Sequence, residues 1–281
     1  MKKLIAMLLA VCMAAVVLTG CGAPASTPAE PENAPAETTD LVVFAAASLT
    51  ETLEQIAESY KSVDPSINLV FNFDSSGTLK KQIESGAECD LFISASPKQM
   101  NALDITSDKN PDGLDFIDAE TRLNLLENKV ALAVPEGNPA GIQNYDDLAA
   151  KLGGEDEILL AMGNADVPVG QYTQKILTFY QLDEEALANA GKLTYGSNVK
   201  EVTSQVAEAA VDCGIIYTTD AFSAGLEVVD VATAEMCGQV IYPAAVLKAS
   251  AQQDAAKAFL AYLGGEEASA AFEAVGFTPI H

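Results

Sequence analysis

The spacing of apolar residues along this chain switches repeatedly from continuous to helical. Leu41 to Phe44 form an unbroken apolar run that passes through Ala45, Ala46 and Ala47 to Ser48, after which the apolar positions are Leu49, Leu53, Ile56, Ala57 and Tyr60. A buried strand running into an amphipathic helix has this signature. Ser48 stands at the junction, and Glu51 three residues later gives the spacing of a capping box.

The unit then recurs. Asn68 to Phe73 alternate like a strand and end at Asp74-Ser75-Ser76-Gly77-Thr78, ahead of a helix with Leu79 and Ile83 inward and Gly86 as its stop. Cys89 to Ser96 read as a buried strand, with Pro97 in the first turn of the next helix. Residues 104–118 are rich in Asp, Asn, Gly and Pro and predict a surface loop. Leu123 to Leu126 and Lys129 to Pro135 make a long apolar run, read as the strand that crosses into a second lobe, with Val240 to Leu247 as its returning counterpart.

In the second half Ile158 to Met162 lead through residues 163–170 to a helix with Tyr172, Ile176, Leu177 and Tyr180 inward. Lys192 to Tyr195 form a short strand. Gly196-Ser197-Asn198-Val199 open a helix with Val202, Val206, Ala209 and Ala210 inward, and Asn198 to Glu201 repeats the capping-box spacing. Cys213 to Tyr217 predict a strand ending in Thr218-Thr219-Asp220, with Asp220 as N-cap. Two amphipathic helices, 252–263 and 266–275, flank Gly264-Gly265.

Alternating strands and helices predict an α/β fold with mainly parallel sheets. The expected division is a first lobe of residues 41–125 with 241–281 returning to it, and a second lobe of 126–240. Ligands of such sheets sit beyond the strands' carboxyl ends, at helix N-termini, where unpaired N–H groups and the positive end of the dipole can hold an anion. One such terminus is an ordinary cap. Four of them, two in each half, point to one anion clamped between two lobes.

Residues 1–20, with Lys2 and Lys3 ahead of an apolar stretch from Leu4 to Leu18, read as a secretory signal. Leu18-Thr19-Gly20-Cys21 resembles a bacterial lipobox, which makes Cys21 the expected lipid anchor. Residues 21–40 hold four prolines and no aromatic or large aliphatic side chain, so they predict an extended tether of roughly 60 Å.

The chain carries 15 Lys and Arg against 40 Asp and Glu, and removal of Lys2 and Lys3 takes its formal charge from −25 to −27. Nucleic acid is excluded as a partner, because phosphate contacts need a basic face. An anion must also bind against this field, through short-range donors, with salt screening the rest beyond about 8 to 10 Å. Cys89, Cys213 and Cys237 lack metal-ligand spacing and read as buried thiols, with a Cys213–Cys237 disulfide left open. The single His is His281, and there is no Trp. A His-based triad or zinc centre therefore has no material.

Val43 to Thr50, Phe73 to Leu79 and Ala87 to Ala95 together resemble the molybdate-binding proteins of ABC importers. Val167-Pro168-Val169-Gly170, Asn198-Val199, Gly214 to Asp220 and Tyr242 to Val246 extend the resemblance in order across residues 41–281. It implies a two-lobe, periplasmic-binding-protein-like fold of type II with a two-strand hinge. It also implies an oxyanion held by neutral donors: Ser48 and Ser76 through hydroxyl and backbone N–H, Val169 and Val199 through backbone N–H, and Tyr217 through its phenol. Val169 stands where smaller residues are common in relatives. Asp74 is expected to face solvent or cap a turn, and Lys200 to lie out of direct contact with the anion. The implied partners are molybdate or tungstate, an ABC importer permease and, through the lipid, the outer face of the cell membrane; the implied state is a monomer without cofactor or directly coordinated metal.

A pocket of donors alone suits a fully deprotonated tetrahedral oxyanion, whereas hydrogen phosphate brings a proton without an acceptor, at about 1 to 3 kcal/mol. Sulfate must be excluded by size, so a receptor for sulfate or another oxyanion is the second reading. An enzyme using Asp74 or Asp220 as base is the third, and it lacks a partner nucleophile.

Overall fold

The computed structural model describes residues 38–281. The expected signal at 1–20, the lipid-bearing Cys21 and the tether as far as residue 37 lie outside the described residues. Among the described residues no helix is long and apolar enough to cross a membrane.

The chain opens with β1 (Thr39–Ala46), a single 3-10 turn (Ala47–Leu49) and α1 (Thr50–Tyr60), followed by β2 (Ile67–Asp74), α2 (Ser76–Glu84), β3 (Leu91–Ile93) and α3 (Pro97–Leu103). After the irregular stretch 104–122 come β4 (Leu123–Asn128) and β5 (Val130–Val134). The second half continues with α4 (Tyr145–Gly153), β6 (Leu160–Gly163), α5 (Pro168–Phe179), α6 (Glu184–Asn189), β7 (Leu193–Gly196) and α7 (Val199–Ala207). Then follow β8 (Cys213–Tyr217), α8 (Thr218–Ala224), β9 (Glu227–Val231), α9 (Ala234–Cys237), β10 (Val240–Val246), α10 (Gln253–Leu263), α11 (Glu266–Ala274) and β11 (Thr278–Pro279).

Two sheets result, one per lobe. The first has the order β11-β4-β10-β3-β1-β2 and the second β7-β6-β8-β5-β9. In the first, Leu41, Val43 and Ala45 of β1 face the main core, and Phe44 faces a second cluster with Leu79, Ile83, Phe92 and Met100. Burial on both faces is why these strands read as continuous apolar runs rather than alternating ones. Helices begin where side chains supply the missing acceptors: Ser75, Ser96, Asn144, Asp183 and Asn198 each cap a first turn.

The expectation of mainly parallel sheets is corrected, because among the described residues four strand pairs are parallel and five antiparallel. Strands that enter and leave a lobe at its hinge side, β4 and β10 in one sheet and β5 and β9 in the other, run against their neighbours. The crossing falls at Lys129, between β4 and β5, so a boundary at 125/126 would cut β4. The polar triplet Glu127-Asn128-Lys129 marks the crossing, a break that reading the strands on either side as one apolar run passes over. The return runs through residues 232–239 and α9, and β10 lies wholly in the first sheet. Thr39 and Asp40, assigned above to the tether, already pair with Ile67 and Asn68. Ala209 and Ala210 are exposed beyond the end of α7, with Ala209 at φ 52°. Cys89, Cys213 and Cys237 are buried free thiols.

Candidate functional site

Ser48 is buried in the 3-10 turn between β1 and α1, and its hydroxyl lies 2.9 Å from that of Tyr242 in β10. The predicted capping box is absent: Leu49 occupies the N-cap position of α1 and no side chain caps it. The 3-10 turn puts Ser48 one residue ahead of the N-cap of α1, and its hydroxyl pairs with that of Tyr242 instead. Asn128, the last residue of β4, donates to the Tyr242 hydroxyl at 3.3 Å and to Thr219 Oγ1 at 2.9 Å. A buried polar relay thus joins the first lobe, the crossing and the start of α8.

Tyr217 ends β8 and is the N-cap residue of α8. Its ring is fully buried, edge-on to Tyr242 at 5.9 Å and to Tyr172 at 6.5 Å between centroids. Among the described residues its hydroxyl has no hydrogen-bond partner. Burial, then the neighbouring Tyr242, pushes its pKa well above the ordinary value, so it is a neutral O–H donor. An unpaired buried hydroxyl costs about 1 to 3 kcal/mol, which a bound acceptor would recover.

Ser76 is the first residue of α2, and its Oγ accepts from the Ala95 N–H at 3.0 Å, leaving its own hydrogen to donate elsewhere. The next residue, Gly77, donates its N–H to the Asp166 carbonyl of the second lobe at 3.1 Å. Asp166 leads directly into Val167, Pro168 and Val169, the N-cap and first two residues of α5, where no side chain caps the helix. First-turn N–H groups have no acceptor within their own helix, so that of Val169 is available to a ligand. The start of α5 is pressed onto the end of β6: a Cβ on Gly170 would lie 2.2 Å from the Gly163 carbonyl oxygen and 2.4 Å from that of Asn164. Only glycine fits there.

Val199 is the first residue of α7, which packs on the 3-10 turn bearing Ser48. Asn198 caps the Glu201 N–H at 3.1 Å, and Glu201 reaches back to the Ser197 N–H at 2.6 Å, one residue short of a strict capping box. Contacts link the five predicted residues in a chain: Ser48 through Tyr242 to Tyr217, Ser48's turn to Val199's helix, Tyr217 to Tyr172 of the helix that Val169 opens, and Ser76's neighbour Gly77 to the loop before Val169.

The charges stand outside these donors. Asp74 caps a turn as expected, its Oδ1 accepting from the Ser75 N–H at 2.6 Å. Asp220 is corrected: it lies inside the first turn of α8, fully buried, with Tyr217 as N-cap. Lys200 Nζ is 3.3 Å from Asp220 Oδ1 but out of hydrogen-bonding alignment, leaving both carboxylate oxygens without hydrogen bonds. Burial pushes the Asp220 pKa up to about 6, against the opposing pull of Lys200. Lys200 also binds Glu51 Oε1 and Oε2 at 2.8 and 2.7 Å. Burial alone would lower its pKa, but the Asp220 and Glu51 carboxylates raise it, so it stays charged.

The sequence reading gave no role to Tyr242, Asn128 or Asp166. Asn128 had a signal, an amide interrupting an apolar run, and so did the tyrosine in the apolar strand 240–247. Asp166 had none, since its part is played by a backbone carbonyl.

The profile of the bacterial extracellular solute-binding protein family matches residues 41–278. YvgL of Bacillus subtilis, provisionally named an ABC transporter substrate-binding lipoprotein, is 33% identical over 240 residues, covering 85% of this chain and 86% of that one. The molybdate-binding protein ModA of Haemophilus influenzae is 34% identical over 242 residues, 85% of this chain and 89% of its own. The periplasmic molybdate-binding protein of Azotobacter vinelandii superposes with a TM-score of 0.72 at 23% identity, covering 86% of this chain and all of that chain, a likeness of fold. With two lobes, helix starts from both facing one seam and a profile that spans nearly all of the described chain, this protein belongs to the bacterial extracellular solute-binding protein family.

Proposed function

We propose that this protein is an exported, lipid-anchored receptor that captures molybdate, and tungstate with it, and delivers it to an ABC importer permease. The observation that carries the reading is the Tyr217 hydroxyl, buried without an acceptor among the described residues and beside α5, whose first turn no side chain caps. Ser48, Ser76 and Tyr217 donate hydroxyl hydrogens, and Val169 and Val199 donate backbone N–H groups. Each hydrogen bond to a charged acceptor contributes roughly 1.5 to 3 kcal/mol, so a handful holds a dianion without a cationic side chain in contact. Most of that gross energy is offset by desolvation and by ordering on closure. The tight relative named for molybdate binding, at 34% identity, supports the choice of anion.

The two oxyanions are alike in shape and charge, so the site holds both. Hydrogen phosphate is disfavoured because its proton meets only donors. Isothermal titration of the delipidated full-length mature protein with molybdate, tungstate, sulfate and phosphate tests the proposal. Saturable one-to-one heat with the two metal oxyanions is expected; binding of sulfate alone, or no heat with either metal oxyanion, overturns it.

A further inference from the structure

We propose that Gly77 and the Glu51–Lys200 pair, none of them among the anion's donors, are positioning residues that hold the lobes shut and so set how long an anion stays bound. The proposal builds on the capture reading above.

At the first point, α2 of one lobe meets the loop before α5 of the other. The Gly77 N–H donates to the Asp166 carbonyl at 3.1 Å, and a Cβ on residue 77 would stand 2.2 Å from that oxygen, 2.9 Å from its carbon and 3.0 Å from Asp166 Cα. All three atoms are backbone, so no rotamer change relieves the overlap; the two segments must move apart. Nothing in α2 itself calls for glycine, because Gly77 has no positive φ, and alanine favours a helix by up to about 1 kcal/mol over glycine. A methyl group here is therefore neutral or favourable to the first lobe and incompatible with its contact to the second. Lys81 and the Asp166 carboxylate meet at 2.5 Å beside this contact, both largely exposed, and such a pair adds little.

At the second point, Lys200 follows Val199 at the start of α7. Within its own lobe it faces Asp220, and across the seam it takes both oxygens of Glu51 on α1. Its pairing with Asp220 needs only the second lobe, whereas its pairing with Glu51 exists only when the lobes meet. Closing thus brings the Val199 N–H to the anion and Lys200 to Glu51 in one movement. Two clamps on separate elements fix the closing angle where one would leave a free axis.

Both ion pairs can be joined by a zero-length carbodiimide, which links an amine to a carboxylate only in contact. The mature protein, Gly77→Ala and Glu51→Gln are compared by cross-linked peptide mass spectrometry, stopped-flow molybdate dissociation and ligand-free thermal melting. In the unsubstituted protein, links between residues 81 and 166 and between 51 and 200 are expected, increasing with molybdate. Gly77→Ala should lose most of both links and release molybdate at least about tenfold faster, with association changed little and the ligand-free melting midpoint unchanged or raised. Glu51→Gln, which leaves Lys200 with Asp220, should speed release several-fold and weaken the 81–166 link. Unchanged links and release in Gly77→Ala overturn the first clamp, as does a lowered ligand-free midpoint, which would assign the glycine to folding. Unchanged release in Glu51→Gln overturns the second. If the unsubstituted protein binds no oxyanion, the capture reading fails, and the cross-link yields without ligand decide the clamps alone.

Discussion

The hydroxyl groups of Ser48 and Tyr242 meet at 2.9 Å, joining the turn after β1 to the middle of β10, residues 194 positions apart in sequence. Tyr242 also receives the Asn128 amide, so one phenol orients both a proposed anion donor and the residue at which the chain leaves the first lobe. Removing that hydroxyl in Tyr242→Phe leaves the buried Ser48 hydroxyl without its partner and takes one of two acceptors from the Asn128 amide. A stability loss of about 1 to 3 kcal/mol is expected by chemical denaturation, with weaker molybdate binding by titration. A variant as stable as the parent would show that the relay is idle.

Tyr217→Phe should behave in the opposite way. The Tyr217 hydroxyl has no partner among the described residues, so its removal relieves a buried unpaired group and leaves the ligand-free protein equally or more stable. Affinity for molybdate should fall by roughly ten- to a hundredfold, the worth of one hydrogen bond to a charged acceptor. Titration and melting together check it; unchanged affinity would remove Tyr217 from the site.

Asp220 makes stability depend on pH. Its folded pKa of about 6 exceeds the ordinary 3.8, so between these values the folded state binds more protons than the unfolded one, and stability falls as pH rises. The groups facing it are Lys200, Glu51, Tyr217 and Tyr242, of which only the lysine favours its charge. Asp220→Asn should melt like the parent near pH 4 and higher than it above pH 6, by at most about 3 kcal/mol, since one pKa unit is worth about 1.4 kcal/mol. Comparing the two proteins at each pH cancels the contribution of the acidic surface.

Gly170→Ala separates a glycine needed for folding from one needed for closure. Its Cβ would collide with two carbonyl oxygens of its own lobe, so the ligand-free protein should lose about 1 to 3 kcal/mol or more, on the scale of overpacking a filled core. Thermal melting without ligand checks it, and a parental midpoint would contradict the packing described.

Much of this protein was legible in one dimension. The change from continuous to 3.6-residue spacing located β1 with α1, β6 with α5 and β7 with α7, because burial of strands and of one helix face leaves that trace in any chain. The helix starts that hold Ser76, Val169 and Val199 were legible for the same reason, since a helix start is a local event, while the choice of those residues came from the family resemblance. Direction of pairing was not local: β10 could be seen as a strand, but only its placement between β3 and β4 made it antiparallel to both. The polar break Glu127-Asn128-Lys129 was visible, but only the pairing partners of β4 and β5 show that the chain changes sheets there. Contacts between hydroxyls, amides and carbonyls far apart in sequence, such as Ser48 with Tyr242 and Gly77 with Asp166, leave no periodic mark, because hydrogen bonds are set by distance and direction in space. Sequence alone determined which helix ends offered unpaired donors; the tertiary structure decided that they face one another across a seam, because only the folded chain brings both lobes to the same place.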